Sequence, residues 1–246
     1  MLKVERVSSG IPGLDDMLSG GIPRGRVVLV VGGPGTGKTI LCSQFLISGI
    51  RDQDEAGLFV TLDESREHIV REMASFGWNI PEYEKMGKWI FTDLSPISMA
   101  STGAKPARQT IGKKEFSLES VLDSIRTVAR SRAKRIVLDT VTSLAFQYPD
   151  LVQRRSVLLE FIETLSSTGA TSIMTTELRT SGLERSVQLE EYLAHGVVVL
   201  QTLQVGKSIT RVLQVEKMRE TPIDTQMRPY RITENGIEVY SRESIF

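Results

Sequence analysis

A glycine-rich octapeptide carries the clearest chemical signal in the chain. Residues 32–39 read Gly-Gly-Pro-Gly-Thr-Gly-Lys-Thr and match the phosphate-binding P-loop pattern in full. Glycines let the backbone wrap around a phosphate and turn successive N–H groups toward it, and a helix N-terminus after the loop adds partial positive charge. We expect Lys38 to reach the β- and γ-phosphates and the Thr39 hydroxyl to ligate Mg²⁺. The loop therefore predicts a Mg²⁺–nucleoside triphosphate site formed by Gly33, Pro34, Gly35, Thr36, Gly37, Lys38 and Thr39.

Acidic residues follow two of the apolar runs. Asp139 ends the run Arg-Ile-Val-Leu-Asp at 135–139, where a carboxylate can contact Mg²⁺ through water. Asp63 and Glu64 follow the apolar run at 59–62. If these runs are parallel strands, their ends share one crevice with the P-loop, where carboxylates can position water or take its proton. The alternatives are a simple turn residue at Asp139 and an acidic pair favoured by a helix dipole at 63–64.

Short apolar runs alternate with amphipathic stretches over the first two-thirds of the chain, which predicts an α/β fold with a mainly parallel sheet. The run at 27–31 leads into the P-loop, and the pattern at 38–49 predicts a helix ending at Gly49. In the last third, strands follow one another without helices, which predicts an antiparallel addition. Residues 95–116 lack periodicity and predict a long mobile loop within a single domain spanning 1–246. The other predicted strands are 58–62, 89–92, 135–139, 171–175, 196–203, 209–217, 230–233 and 236–240, and the other predicted helices are 65–76, 117–131 and 154–167.

Composition and charge limit the classes of function. Of the 246 residues, 40% are hydrophobic and 24% are charged, which suits one full-sized domain. Lys and Arg number 30, as do Asp and Glu, so the formal net charge is zero and a sequence-independent nucleic-acid coat is not favoured. Cys42 is the one cysteine, so an internal disulfide is excluded. Because no apolar run approaches the roughly 20 residues of a membrane span, we expect a cytoplasmic protein without a membrane partner.

Further motifs make the chain resemble the KaiC-like branch of the RecA superfamily over nearly its whole length. The segments at 9–15 and 20–25 form a lead-in that precedes the P-loop strand in that family. The other matching segments are 59–65, 75–78, 138–144, 174–177, 216–219 and 229–233. The resemblance implies a RecA-like P-loop NTPase core that binds ATP or ADP. It also implies a homohexameric ring with ATP at each subunit interface.

The resemblance implies roles for individual residues as well. Asp63 and Glu64 would serve hydrolysis. Lys217 and Arg219 would reach ATP held by the next subunit, where an arginine supplied in trans stabilises the charge of phosphoryl transfer. The alternative is that this pair only adds solubilising charge to an edge strand. The other nucleotide contacts implied by the match are Ile40 and Met218, with Ser75 in one subunit and Thr221, Thr233 and Glu234 in its neighbour.

The chain departs from the family pattern at three places. Asp63 stands where the family usually has Glu, and a side chain shorter by one methylene withdraws the carboxylate by roughly 1.5 Å. This predicts slow hydrolysis or transfer of the role to Glu64. Glu220 stands where Gly is usual, beside the expected arginine finger. Glu191 and Tyr192 occupy the place of the clock member's Ser/Thr autophosphorylation pair, so we expect neither autokinase activity nor a clock function.

Three functions remain open from the residues and the resemblance. The first is a ring ATPase that acts as a nucleotide-responsive regulatory or signalling switch, with an unidentified protein partner. The second is a module that binds ATP with little turnover, which the first two departures favour. The third is a DNA-recombination accessory protein with a channel lined by Lys105, Arg108, Lys113 and Lys114. Zero net charge and the lack of aromatic residues interleaved with basic ones count against this nucleic-acid-binding function.

Overall fold

The computed structural model describes residues 4–94, 121–123, 125–127, 133–143, 148, 150–178, 180–181 and 184–245. The predicted loop at 95–116, with its basic residues, lies outside these ranges. Of the predicted helix at 117–131, the described residues 121–123 and 125–127 are helical. Within the described ranges, no helix is both long and apolar enough to cross a membrane.

The helices and strands follow the alternation that the sequence predicts. Strands form from apolar β-branched runs, which suit a sheet covered on both faces. Helix α3 begins after Ser65, whose side chain accepts a hydrogen bond from the backbone N–H of His68. In chain order the elements are β1 (Arg6–Val7), α1 (Leu14–Met17), β2 (Ile22–Pro23), β3 (Val27–Gly32), α2 (Lys38–Gln53), β4 (Ala56–Thr61), α3 (Arg66–Ala74), α4 (Ile80–Lys85), β5 (Trp89–Asp93), β6 (Ala133–Asp139), α5 (Leu151–Ser167), β7 (Thr171–Glu177), β8 (Thr180–Ser181), β9 (Glu184–Arg185), α6 (Leu189–Leu193), β10 (Gly196–Val205), β11 (Ser208–Met218), β12 (Arg228–Thr233) and β13 (Gly236–Val239).

A nine-stranded sheet forms the centre of the described structure, in the order β13-β12-β11-β10-β3-β7-β6-β4-β5. The pairs from β10 to β5 are parallel, and those from β10 to β13 are antiparallel. One face packs on α2 and α3 through Phe45 and Ile69, and the other packs on α5 through Phe161. The predicted fold is confirmed. Its consequence is that β3, β7, β6 and β4 all end at one edge of the sheet, here named the carboxyl edge.

Helix α2 is longer than predicted, because Gly49 does not end it. The helix ends four residues later, before Asp54, whose φ of 55° is left-handed. Gly49 is required for packing instead: a Cβ at this position would lie 2.4 Å from Nε of Arg135 on β6. A glycine that interrupts a helical pattern can therefore mark close packing as well as a helix end.

Arg135 is fully buried beneath α2. Its guanidinium donates hydrogen bonds to the carbonyls of Ser8 and Phe45 at 2.9 and 2.7 Å and to the Glu55 carboxylate at 2.8 Å. Burial lowers the pKa of Arg135, while the Glu55 carboxylate opposes that shift. The side chain thus joins the start of the chain to β6 and α2 at the edge opposite the carboxyl edge, here named the amino edge.

Replacing Gly49 by alanine is expected to lower the free energy of unfolding by about 1–3 kcal/mol, because the added methyl overlaps Arg135. Helix propensity alone predicts the opposite, a gain of about 1 kcal/mol. Urea unfolding of the variant and the wild type decides the sign. As a control, Gln53→Ala at the exposed end of the same helix should change stability by less than about 0.5 kcal/mol. A stabilised Gly49→Ala protein would contradict the packing role.

Candidate nucleotide site

The P-loop lies between β3 and α2, and its glycines are required by geometry. Gly35 and Gly37 have φ of 71° and 90°, values that glycine adopts without strain. No heavy atom lies within 4 Å of a Cβ built on Gly35, so the loop is open there. Helix α2 begins at Lys38 with Gly37 as its N-cap and without a side-chain cap, so no side chain occupies its first N–H groups. This open, uncapped helix start fits a phosphate group.

The predicted Mg²⁺ residues are in direct contact. The Thr39 hydroxyl donates to Oδ2 of Asp139 at 2.8 Å, and the Thr175 hydroxyl of β7 donates to the other carboxylate oxygen. Burial raises the pKa of Asp139, whereas these two hydrogen bonds and the Lys38 charge lower it. Nζ of Lys38 donates to the carbonyls of Gly32 and Gly33 at 2.8 and 3.2 Å. A hydroxyl beside a carboxylate is a donor set that suits Mg²⁺.

The acidic pair follows β4, the strand next to β6, and Thr61 at the end of β4 pairs with Asp139 in the sheet. Asp63 accepts a hydrogen bond from the hydroxyl of Ser143, four residues after the end of β6. The Glu64 carboxyl has a raised pKa, first because protein atoms displace its water and then because Asp139 and Asp63 are close. The sequence places both acids at this edge correctly, but the partner Ser143 could not be predicted. Among the residues that the structure describes, no side chain is hydrogen-bonded to the Glu64 carboxyl, whose pKa is raised.

Tyr230 on β12 is a site residue that the sequence does not reveal. Its side chain is buried, and its hydroxyl donates to the carbonyl of Thr36 in the P-loop at 2.6 Å. Burial raises the pKa of this phenol, which keeps the hydroxyl protonated as a donor. The neighbouring Ile232 is close enough to Gly37 that a Cβ there would lie 3.0 Å from it. The β12–β13 hairpin therefore supports the P-loop of its own chain.

Replacing Tyr230 by phenylalanine removes this support with little change of shape. We expect a loss of about 0.5–1.5 kcal/mol in the free energy of unfolding, because the Thr36 carbonyl loses its phenol donor. We also expect weaker nucleotide binding, measured by titration with a fluorescent ATP analogue. Tyr240→Phe, in a half-buried tyrosine after β13, is the matched control. Equal nucleotide affinity in wild type and Tyr230→Phe would show that this bond does not shape the P-loop.

Thr233 and Glu234 begin the turn of the same hairpin, where the Thr233 hydroxyl donates to the carbonyl of Gly236 at 3.0 Å. Their hairpin contacts the P-loop of its own chain through Tyr230 and Ile232, whereas the resemblance assigned Thr233 and Glu234 to a neighbour. Ser75 lies at the end of α3, and its hydroxyl donates to the carbonyl of Glu72 at 2.7 Å. These positions make Ser75, Thr233 and Glu234 candidates for contact with a nucleotide base or ribose. Ile40, another predicted contact, is buried in the first turn of α2.

Lys217 and Arg219 lie far from the P-loop of their own chain. Gly196 pairs with Val28 near the start of β3, and Leu200 pairs with Gly32 at its end. Met218 pairs with Gly196, so the segment from Lys217 to Arg219 lies at the amino edge. Four strand residues span about 13 Å, which is the distance along the sheet that separates this segment from the P-loop.

The two cations have different surroundings. Nζ of Lys217 donates to the carbonyls of Glu191, Tyr192 and Ala194 at 3.2, 3.1 and 2.6 Å, which cap the end of α6. Desolvation and the Arg219 charge lower the pKa of Lys217. Arg219 is exposed and makes no ion pair with any residue that the structure describes. Arg219 is therefore the freer cation, and Lys217 uses its three donors on the helix end.

Comparison with known proteins gives the same family throughout. The family model described as "ATPase: KaiC" matches residues 7–244. A UPF0273 protein of Aeropyrum pernix is 37% identical over 240 residues, which cover 96% of this chain and 94% of that protein. The circadian clock oscillator protein KaiC of Synechococcus elongatus is 33% identical over 239 residues, covering 96% of this chain but 44% of that protein. The crystal structure of a KaiC-like protein from Pyrococcus horikoshii has a TM-score of 0.81 at 37% identity, covering 97% of this chain and 100% of that one. The chain therefore belongs to the KaiC-like ATPase family, as its P-loop and the accompanying motifs predict.

Proposed function

We propose that this chain, folded as a single domain, is a Mg²⁺-dependent ATPase that works as a homohexameric ring and acts as a nucleotide-responsive regulatory or signalling switch. The observation that carries the proposal is the set of groups at the carboxyl edge: an open P-loop, the Thr39–Asp139 contact and the basic Glu64 carboxylate. A nucleotide switch needs an ATP-bound state and a reaction that ends it. The P-loop binds ATP, and Glu64 promotes its hydrolysis.

Each group has a defined part in this reaction. The N–H groups at the start of α2 and the Lys38 ammonium bind the phosphate oxygens, and Thr39 and Asp139 are the residues that would hold Mg²⁺. Bound Mg²⁺ neutralises charge on the phosphates. Glu64 orients the attacking water and accepts its proton, and its raised pKa suits that task. Asp63, bonded to Ser143, fixes the turn that carries Glu64.

The separation of the P-loop from Lys217 and Arg219 supports the proposed ring. About 13 Å of sheet lies between them, which favours action of the two cations on a nucleotide held by another copy. A ring with ATP at each interface gives every P-loop such a partner. The relative from Synechococcus is named a circadian clock oscillator. For this chain we propose no autokinase activity, because Glu191 and Tyr192 replace the phosphorylated pair.

Phosphate release and light scattering test this proposal together. We expect release of phosphate from ATP with Mg²⁺ and none with excess EDTA, and a hexamer in the presence of ATP. Lys38→Ala should abolish both ATP binding and release. A protein that binds no ATP, or that releases phosphate equally well in EDTA, would overturn the proposal.

A second candidate is an ATP-binding module with little turnover. Two contacts favour it. The Asp63 carboxylate is hydrogen-bonded to Ser143, and the Lys217 ammonium donates its hydrogen bonds to the end of α6. In this case ATP and Mg²⁺ would bind and drive assembly, but phosphate release would not exceed that of Lys38→Ala. The same two measurements therefore separate the candidates.

A further inference from the structure

The turn after β11 adopts a backbone conformation that its sequence does not favour. Glu220 has a φ of 61°, in the left-handed region where glycine is the usual residue. Its carboxylate accepts hydrogen bonds from Nε and a terminal nitrogen of Arg26 at 3.3 and 2.5 Å. This two-point ion pair opposes the tendency of the turn to relax to another conformation.

Other contacts hold the residues on either side of Glu220. A terminal nitrogen of Arg6 donates to the Thr221 hydroxyl at 3.0 Å, and the other donates to the Glu220 carbonyl at 3.5 Å. Before the turn, the backbone N–H of Arg219 donates to the carbonyl of His195 at 2.9 Å. The turn is therefore held by Arg6 and Arg26 of the segment before β3, and by the residue before β10.

The charges around this turn are mostly positive. Burial lowers the pKa of His195, and the charges of Arg26, Arg219 and Lys217 lower it further. Glu220 is the acid closest to Arg219 in sequence, but its carboxylate is bonded to Arg26, and this hydrogen bond together with the Arg26 charge lowers the Glu220 pKa. An unpaired carboxylate at 220 would be attracted to the neighbouring guanidinium and would neutralise it.

We propose that Glu220 and Arg26 are positioning residues for Arg219. Their ion pair holds the left-handed turn and keeps the Glu220 carboxylate away from Arg219, which is presented with its charge uncompensated to the triphosphate of an adjacent copy. The inference rests on the proposed function and specifies how Arg219, the cation that acts on the nucleotide of the adjacent copy, is oriented. It assigns a purpose to a glutamate that the family pattern alone marks only as a departure.

A double-mutant cycle in the full-length ring tests this role. Glu220→Gln and Arg26→Gln should each lower kcat for ATP hydrolysis by about tenfold, because a displaced charged group loses much of its effect on the reaction. KM for ATP and the hexamer seen by light scattering should not change, since the P-loop is untouched. In an Arg219→Ala background, Glu220→Gln should lower kcat by less than about twofold further. The exchanged pair Arg26→Glu/Glu220→Arg should return to within about threefold of wild type.

Two further variants make the result specific. Glu220→Gly keeps the left-handed turn without an ion pair and leaves no carboxylate beside Arg219, so it should retain kcat within about twofold of wild type where Glu220→Gln loses it. Glu5→Gln breaks the Arg24–Glu5 ion pair in the same N-terminal segment and should leave kcat unchanged. The positioning role is overturned if Glu220→Gln is as active as wild type, or if it loses as much kcat without Arg219 as with it. If Arg219→Ala itself keeps full activity, the proposed action of Arg219 on the ATP of an adjacent copy is wrong, and the proposed function fails at that point instead.

Discussion

Replacing Glu64 by glutamine is expected to lower the rate of ATP hydrolysis by about 10²- to 10⁴-fold, the usual contribution of a general base. ATP affinity should change little, because the phosphates are bound by the P-loop and not by this carboxyl. Phosphate release under saturating ATP, together with ATP binding to the same protein, measures both quantities. The prediction names Glu64 and not Asp63, since the Ser143 hydroxyl is hydrogen-bonded to Asp63.

Asp63→Asn is the matched control for Glu64→Gln, because it removes the adjacent charge and keeps the side-chain shape. Asparagine can still accept the Ser143 hydrogen bond, so we expect a loss of about tenfold or less. If Asp63→Asn loses more activity than Glu64→Gln, Asp63 is the base and the assignment is reversed.

The pH dependence of hydrolysis gives an independent check on Glu64. A general base works only when deprotonated, so activity falls as the pH drops through its pKa. Because the pKa of Glu64 is raised, the acid limb of the profile should lie at higher pH than for an ordinary glutamate. Glu64→Gln should remove this limb from the residual activity. A limb that persists unchanged in Glu64→Gln would belong to another group.

Replacing Arg219 by alanine is expected to lower hydrolysis by about 10³- to 10⁵-fold, the range for an arginine supplied in trans to phosphoryl transfer. Lys38→Ala should also be inactive, because it lacks the P-loop cation. Mixing the two inactive proteins is the decisive measurement. An intact P-loop from one chain then meets an intact Arg219 from the other at about a quarter of the interfaces of randomly mixed rings.

Activity of about a quarter of the wild-type rate in this mixture would establish action between chains. The matched control replaces one component with the double variant Lys38→Ala/Arg219→Ala, which should restore nothing. No recovery in the first mixture, under conditions where labelled subunits are seen to exchange, would contradict the trans assignment of Arg219.

Local sequence pattern was sufficient to place the residues of the candidate site that lie in the P-loop or directly at the end of a strand. The apolar run before the P-loop and the helical pattern after it place Lys38 and Thr39, and the rule that parallel strands end at one edge brings Asp139 to them. Asp63 and Glu64 follow from the same rule. These predictions succeed because each depends on a strand end and not on a particular side-chain contact.

Contacts between distant segments were beyond prediction. Gly49 resembles a helix end until Arg135, 86 positions later, is seen packed against it. Tyr230 reaches the P-loop from β12, and Lys217 caps α6 from β11. No periodicity records such pairings, because each depends on which strands become neighbours in the sheet. The short helices α1, α4 and α6 were missed for a related reason, since so few residues give no helical period to detect.

The parallel pairing of β10 with β3 makes the two edges of the sheet unlike, and this gives each subunit a direction. A contact between the carboxyl edge of one copy and the amino edge of the next joins two different surfaces, so it is heterologous. Such contacts either close into a ring or extend into an open filament. In an open chain of any length, one terminal P-loop has no Arg219 opposite it. In the proposed ring, closure therefore completes the last site, which an open chain of the same subunits lacks.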